Sequence, residues 1–250
     1  MKSVYWGAAA AALMVSGYAL AHDGKHPATA KQVAAALADP ARADQAADDA
    51  RRHAAEVVAF MGAGPGSTVV DFFPGRGYWT RILTGVVGPT GHVYALWPKL
   101  GEKYAAKPLP ELQARKLGNV TAEVLATDAI TTPKPVDIIL TVQNYHDEPN
   151  GGRGEAAIDA LNSSVFAALK KGGVYIVIDH ADAAGTGMAG TSTTHRIDPA
   201  VVKAQVLKAG FVFAGESTVL ANPDDDHSKN VFDPSIRGKT DQFIYKFRKP

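Results

Sequence analysis

Short apolar runs recur along the chain with helical stretches between them. STVVDFF (67–73), GHVYALW (91–97), NVTAEVLAT (119–127), VDIILTVQ (136–143) and GGVYIVIDH (172–180) are rich in β-branched or aliphatic residues, and each predicts a strand. A helix is expected from the end of the first run through Leu83, another over GRGEAAIDALNSSVFAALKK (152–171) and a third over PAVVKAQVLKAG (199–210). Nearly continuous apolar strands that alternate with helices imply a parallel sheet covered on both faces. The end of the chain departs from this rhythm. The run FVFAGEST (211–218), a long polar loop (221–241) and the run QFIYKFRK (242–249) have no helix between or after the two strands, which predicts an antiparallel pair at one sheet edge. The expected class is α/β, a doubly wound, mostly parallel seven-stranded sheet with an antiparallel C-terminal strand and N-terminal helices.

Upstream of the first strand the pattern divides twice. Residues 1–21 join Lys2 to an alanine-rich apolar stretch that ends in Ala19-Leu20-Ala21, the form of a cleaved secretory signal peptide with His22 as the new N-terminus. This places the mature chain in the periplasm or outside the cell, with no membrane association after cleavage. Residues 22–62 read as an N-terminal helical extension, in which Asp39-Pro40 separates a short helix from a longer one over 42–62. Residues 63–250 form the main domain.

The full chain has 250 residues, 46% hydrophobic and 20% charged, enough for one large core. Loss of Lys2 with the signal leaves 25 basic and 25 acidic residues, so no basic excess exists to neutralise nucleic-acid phosphates. Cysteine is absent, which removes disulfides and thiolate metal ligands from consideration.

The segment VVDFFPGRGYWTRIL (69–83) sets an acid, a Pro and two glycines between the first strand and its helix. In doubly wound sheets this turn is where backbone approaches a ligand, and Gly75 and Gly77 permit that approach because they lack Cβ. A dinucleotide fingerprint needs a third glycine where Thr80 stands, so the ligand expected is a nucleoside without pyrophosphate. VVDFFPGRGYWTRILTGVVGPTGHVYAL resembles motif I and the next strand of class I S-adenosylmethionine-dependent methyltransferases, a Rossmann-like superfamily. The resemblance runs from residue 55 to residue 250, and the tail from Gly210 onward is similar to a group of exported bacterial proteins described as predicted methyltransferases.

Several expectations follow from that resemblance. S-adenosylmethionine would be the cofactor; Asp71, Pro74, Gly75, Gly77 and Tyr78 would surround its methionine part, Asp128 and Ala129 its adenine, and Gln143 would close the site after the fourth strand. The family commonly has an acid for the ribose hydroxyls at the end of the second strand; here Trp97 stands there, able to stack on adenine or to donate one N–H. Phe73 replaces the first glycine of the motif.

Methyl transfer needs a nucleophile held in line with the sulfonium and, for a protonated nucleophile, a base. His146, Asp147 and His180, after strands four and five, are the catalytic candidates; Asn144, Asp182, His195 and Arg196 are candidates for substrate contact. Each histidine has an alternative as a strand cap. Asp147, Asp179 and Asp182 resemble in type the carboxylates of divalent-metal catechol methyltransferases but lack that pattern, and no metal site is expected. The acidic loop 222–229 matches no calcium loop. A small-molecule acceptor and a monomer or homodimer complete the expectation; the alternative is a periplasmic binding or sensing protein on the same scaffold with a degenerate cofactor site.

Overall fold

The computed structural model describes residues 26–250, so the signal-peptide assignment and His22 lie outside the described residues. The chain runs through α1 (Ala30–Leu37), α2 (Ala54–Met61), β1 (Thr68–Phe72), α3 (Tyr78–Val87), β2 (His92–Trp97), α4 (Glu102–Ala105), α5 (Pro108–Ala114) and β3 (Val120–Val124). It continues through β4 (Val136–Val142), α6 (Gly154–Ala168), β5 (Leu169–His180), α7 (Pro199–Lys208), β6 (Val212–Ser217) and β7 (Gln242–Arg248). No helix among the described residues is long and apolar enough to cross a membrane.

The strands form one seven-stranded sheet in the order β3-β2-β1-β4-β5-β7-β6. β1 to β5 run parallel to one another, and β7 runs antiparallel to both β5 and β6. The chain order reverses between β1 and β4, so the crevice at their carboxyl ends is the ligand position of such a sheet. Alternation along each strand sends side chains to two cores. Val69, Ile138, Leu140, Ile176 and Ile178 meet α1, α2 and α3 on one face; Val70, Phe72, Ile139, Tyr175 and Val177 meet α6 and α7 on the other. Burial on both faces is why these strands read as unbroken apolar runs.

α1 starts with a capping box: Thr29 Oγ1 accepts from Gln32 N, and the Gln32 side chain accepts from Thr29 N. The single longer helix expected over 42–62 does not form. Two 3₁₀ turns, Pro40–Arg42 and Ala46–Asp48, precede α2, and His53 enters it with a φ of +44°. The cause is tertiary. The Arg42 guanidinium is buried and donates to both Asp49 carboxylate oxygens and to Leu37 O, while the Tyr78 hydroxyl donates to Asp49 Oδ1 at 2.7 Å. Arg81 on α3 pairs with Asp44 and donates to Ala41 O, and the Gln45 side chain donates to Arg76 O. These contacts bend residues 41–53 into a strap across the turn after β1 and override helix propensity, which is worth only tenths of a kcal/mol per residue.

Asp49→Ala leaves the Arg42 guanidinium buried with one carbonyl partner and deprives the Tyr78 hydroxyl of its acceptor. The expected loss is about 3 kcal/mol, read from urea unfolding midpoints; a change below about 0.5 kcal/mol contradicts the anchoring role of this pair.

Candidate functional site

The turn after β1 holds three residues at positive φ: Phe73 (+59°), Gly75 (+55°) and Gly77 (+70°). Phe73 takes a left-handed backbone at a cost on the order of 1–3 kcal/mol for a bulky side chain. Its ring lies against the segment that follows β2, 5.7 Å from the Tyr104 ring, and an added Cβ on Gly101 would sit 2.6 Å from Phe73 Cε2. Gly77 is constrained as well, since a Cβ there would meet Leu112 Cδ1 at 3.2 Å.

Asp71 is buried at the end of β1 and accepts from Thr80 Oγ1 at 2.6 Å, at the start of α3. Burial pushes its carboxyl up to about 6 against the Thr80 hydrogen bonds and the nearby Arg52 charge. Arg52 itself carries no signal in the sequence. Its guanidinium stacks on the Tyr78 ring at 4.6 Å, its Nε is shielded from solvent without a partner, and burial lowers its pKa. With Arg51, Trp79, Gln143 and Gln242 it lines a cavity of about 10 Å³ between α3 and the ends of β4 and β5. Gln143, at a φ of +58°, donates from Nε2 to Gln242 Oε1.

The adenosine side departs from expectation. Trp97 is fully buried among Ala95, Ala105 and Leu112, and its Nε1 has no partner, so it is a core residue that cannot stack on a base. Asp128 Oδ1 accepts from Leu100 N, Lys99 N donates to Thr127 O, and Ala129 N donates to Thr127 Oγ1. The segments after β2 and β3 are zipped together by these bonds.

At the ends of β4 and β5 the candidates converge. Asp179 is fully buried and collects three donors: His146 N at 2.8 Å, His146 Nδ1 at 2.7 Å and His180 N at 2.8 Å. Because a carboxylate only accepts, the His146 proton sits on Nδ1, leaving the Nε2 lone pair free to take a proton or a metal. Burial opposes the charged imidazole, but the Asp179 and Asp147 charges outweigh it and raise His146, while Asp179 is lowered by His146 against its own desolvation. His180 is turned elsewhere. Its Nδ1 meets Thr240 Oγ1 at 2.8 Å, and burial pushes it down to about 4, so it is neutral near pH 7. His195 does reach the cluster, with Nδ1 3.3 Å from His146 Nε2.

Two substrate candidates are committed to structure instead. Arg196 is fully buried, paired with Asp225 at 2.9 Å and donating to Ala181 O and Lys229 O, so it anchors the 218–241 loop. The Asn144 side chain accepts from Thr141 Oγ1 and donates to Phe72 O and Val142 O, tying the ends of β1 and β4. Asp182 Oδ1 accepts from Ala183 N in a local turn.

The Asp71 carboxyl gives a pH prediction. A native pKa near 6 against an ordinary 3.8 means the folded chain holds a proton that the unfolded chain has released between those values, so this contribution falls as pH rises from about 4 to 6 and is flat above. The stability of Asp71→Asn relative to the parent should grow by roughly 3 kcal/mol from pH 4 to pH 7 in urea melts. A difference independent of pH means that the Arg52 charge already cancels the burial.

No protein-family model and no curated protein sequence matches the chain. Solved structures do. A SAM dependent methyltransferase from Aquifex aeolicus superposes with a TM-score of 0.53 at 19% identity, over 89% of this chain and 99% of its own. The glycopeptide N-methyltransferase MtfA, solved with S-adenosyl-L-methionine, gives 0.54 at 14%, over 80% and 87%. The [4+2]-cyclase SpnF gives 0.56 at 16%, over 90% and 88%. With the strand order above, these likenesses give the chain the Rossmann-like fold of the class I S-adenosylmethionine-dependent methyltransferases.

Proposed function

We propose that the chain is an S-adenosylmethionine-dependent methyltransferase acting on a small-molecule acceptor outside the cytoplasm. The observation that carries this reading is the strand-turn-helix unit from Asp71 to Thr80, with its left-handed backbone at Phe73, Gly75 and Gly77, beside the Arg52 guanidinium. An amino-acid carboxylate next to Arg52 would supply the acceptor that the guanidinium lacks, in the charge-assisted geometry arginine favours. The donor chemistry at Arg52 therefore suits the methionine end of the cofactor. When bound, the cofactor supplies an activated methyl group; the residues of this chain hold the amino-acid end and place His146, Asp147 and His195 at the neighbouring mouth of the crevice. Placement outside the cytoplasm rests on the signal pattern of residues 1–21. Intact mass of the secreted chain should begin at His22, and a mass that includes Met1 contradicts this.

The ribose end fits less well. Trp97 lies in the core and Asp128 is occupied by Leu100 N, which favours as the second reading a binding or sensing protein whose ligand is not this nucleoside. The cyclase likeness makes the same point, because the fold alone does not select the reaction.

Calorimetry separates the two. S-adenosylhomocysteine should bind, and Arg52→Ala should weaken it about 10- to 100-fold while leaving 5′-methylthioadenosine, which lacks the amino-acid carboxylate, unchanged. Absence of S-adenosylhomocysteine and S-adenosylmethionine binding sinks the methyltransferase reading. Equal loss for both nucleosides assigns Arg52 a structural role.

A further inference from the structure

We infer that His146, His195 and Asp147 form a binding site for one divalent transition metal ion of the zinc class. His146 and Asp147 stand in the 3₁₀ turn after β4, and His195 comes from the loop before α7, 49 residues further on. The three ligand atoms, His146 Nε2, His195 Nδ1 and Asp147 Oδ1, make a nearly equilateral triangle with edges of 3.3, 3.5 and 3.5 Å.

Those edges are long for hydrogen bonds, whose N–H···O distances centre near about 2.9–3.0 Å. They match a metal. Ligands about 2.1 Å from a tetrahedral ion lie roughly 3.4 Å apart, whereas an octahedral ion at that distance brings cis ligands to roughly 3.0 Å. Two imidazoles and one carboxylate suit zinc, cobalt or iron, and disfavour magnesium or calcium, which take oxygen. Three protein ligands leave a fourth position for water or a substrate oxygen, the form of a catalytic rather than a structural site.

The supports around the triangle point the same way. Asp179 fixes the His146 tautomer by accepting from Nδ1 and so aims the Nε2 lone pair into the triangle, the carboxylate-histidine arrangement that orients metal-ligating imidazoles. Asp147 Oδ1 is steadied by the Asn150 side chain, which spans to Thr191 O. His195 sits at a φ of +57°, a conformation a non-glycine residue adopts at a cost and that here delivers its ring to the cluster. The Phe232 ring packs on His195 at 5.0 Å and walls one side. Against the expectation of no metal site, the ligands are the two histidines and Asp147, while Asp179 is taken up by His146 and the His180 backbone.

The site stands whichever ligand the glycine turn takes, and its test needs no cofactor. The full chain, without a histidine tag and stripped by a chelator, is titrated with Co²⁺ by visible absorption and with Zn²⁺ by calorimetry. One equivalent of Co²⁺ should bind with the intense visible bands of tetrahedral cobalt, displaced by Zn²⁺. His195→Ala and Asp147→Ala, at partly exposed positions that tolerate truncation, should each weaken binding at least 10-fold. Asp179→Asn should weaken it about 10- to 100-fold as a positioning change, and His180→Ala should leave it unaltered. Absence of stoichiometric binding, or binding that survives His195→Ala undiminished, overturns the assignment. Neither result bears on S-adenosylhomocysteine affinity, so the two readings fail separately.

Discussion

The candidate site depends on one buried carboxylate. Asp179 is fully buried, so its charge is balanced by the donors it gathers from the His146 backbone, the His146 ring and the His180 backbone. Two of those donors belong to the turn after β4 and one to β5, and the carboxylate thereby joins the exits of adjacent strands at fixed spacing. The direction of the His146 ring follows from it. So does the position of Asp147, which is in the same short turn. A bland strand end becomes a rigid platform through a single anion.

On the other side of the crevice the organising constraint is backbone geometry. Three left-handed residues within five positions turn the chain from β1 into α3, and Asp71 braces the turn by accepting from Thr80. The crevice is thus divided chemically. The half beside β1 offers backbone and the Arg52 guanidinium with Arg51 nearby, suited to an anion, whereas the half beside β5 offers nitrogen and oxygen lone pairs, suited to a cation or a proton. The segments after β2 and β3 close the far end by bonding to each other.

The sheet is legible in the sequence because burial on both faces writes each inner strand as a continuous apolar run, and the terminal strands because no helical stretch separates them. The strap at 41–53 is not, since the Arg81–Asp44 pair and the Tyr78–Asp49 hydrogen bond depend on α3 meeting the segment in space. For Trp97 the signal was present: strand alternation sets it on the side of Val93 and Ala95, beneath α4 and α5, rather than at the crevice. His146 and Asp147 can be placed by the end of β4, yet nothing in their local sequence announces His195 as their neighbour. Arg52 is hidden for the same reason, standing in what reads as an ordinary charged helix surface.

The strap also sets how the crevice answers to its surroundings. It is tied down by Arg81 and Arg115, both of which reach Asp44, and by Gln45, whose side chain donates to the carbonyl of Arg76 in the glycine turn. The arginine of the main tie is enclosed, while its acid faces solvent and is held down to about 2 by that guanidinium. Dissolved ions therefore reach only the acidic half of the tie. Salt therefore weakens the Asp44 end of this tie, whereas the enclosed Arg42–Asp49–Tyr78 contacts, which hold the same strap, are screened much less.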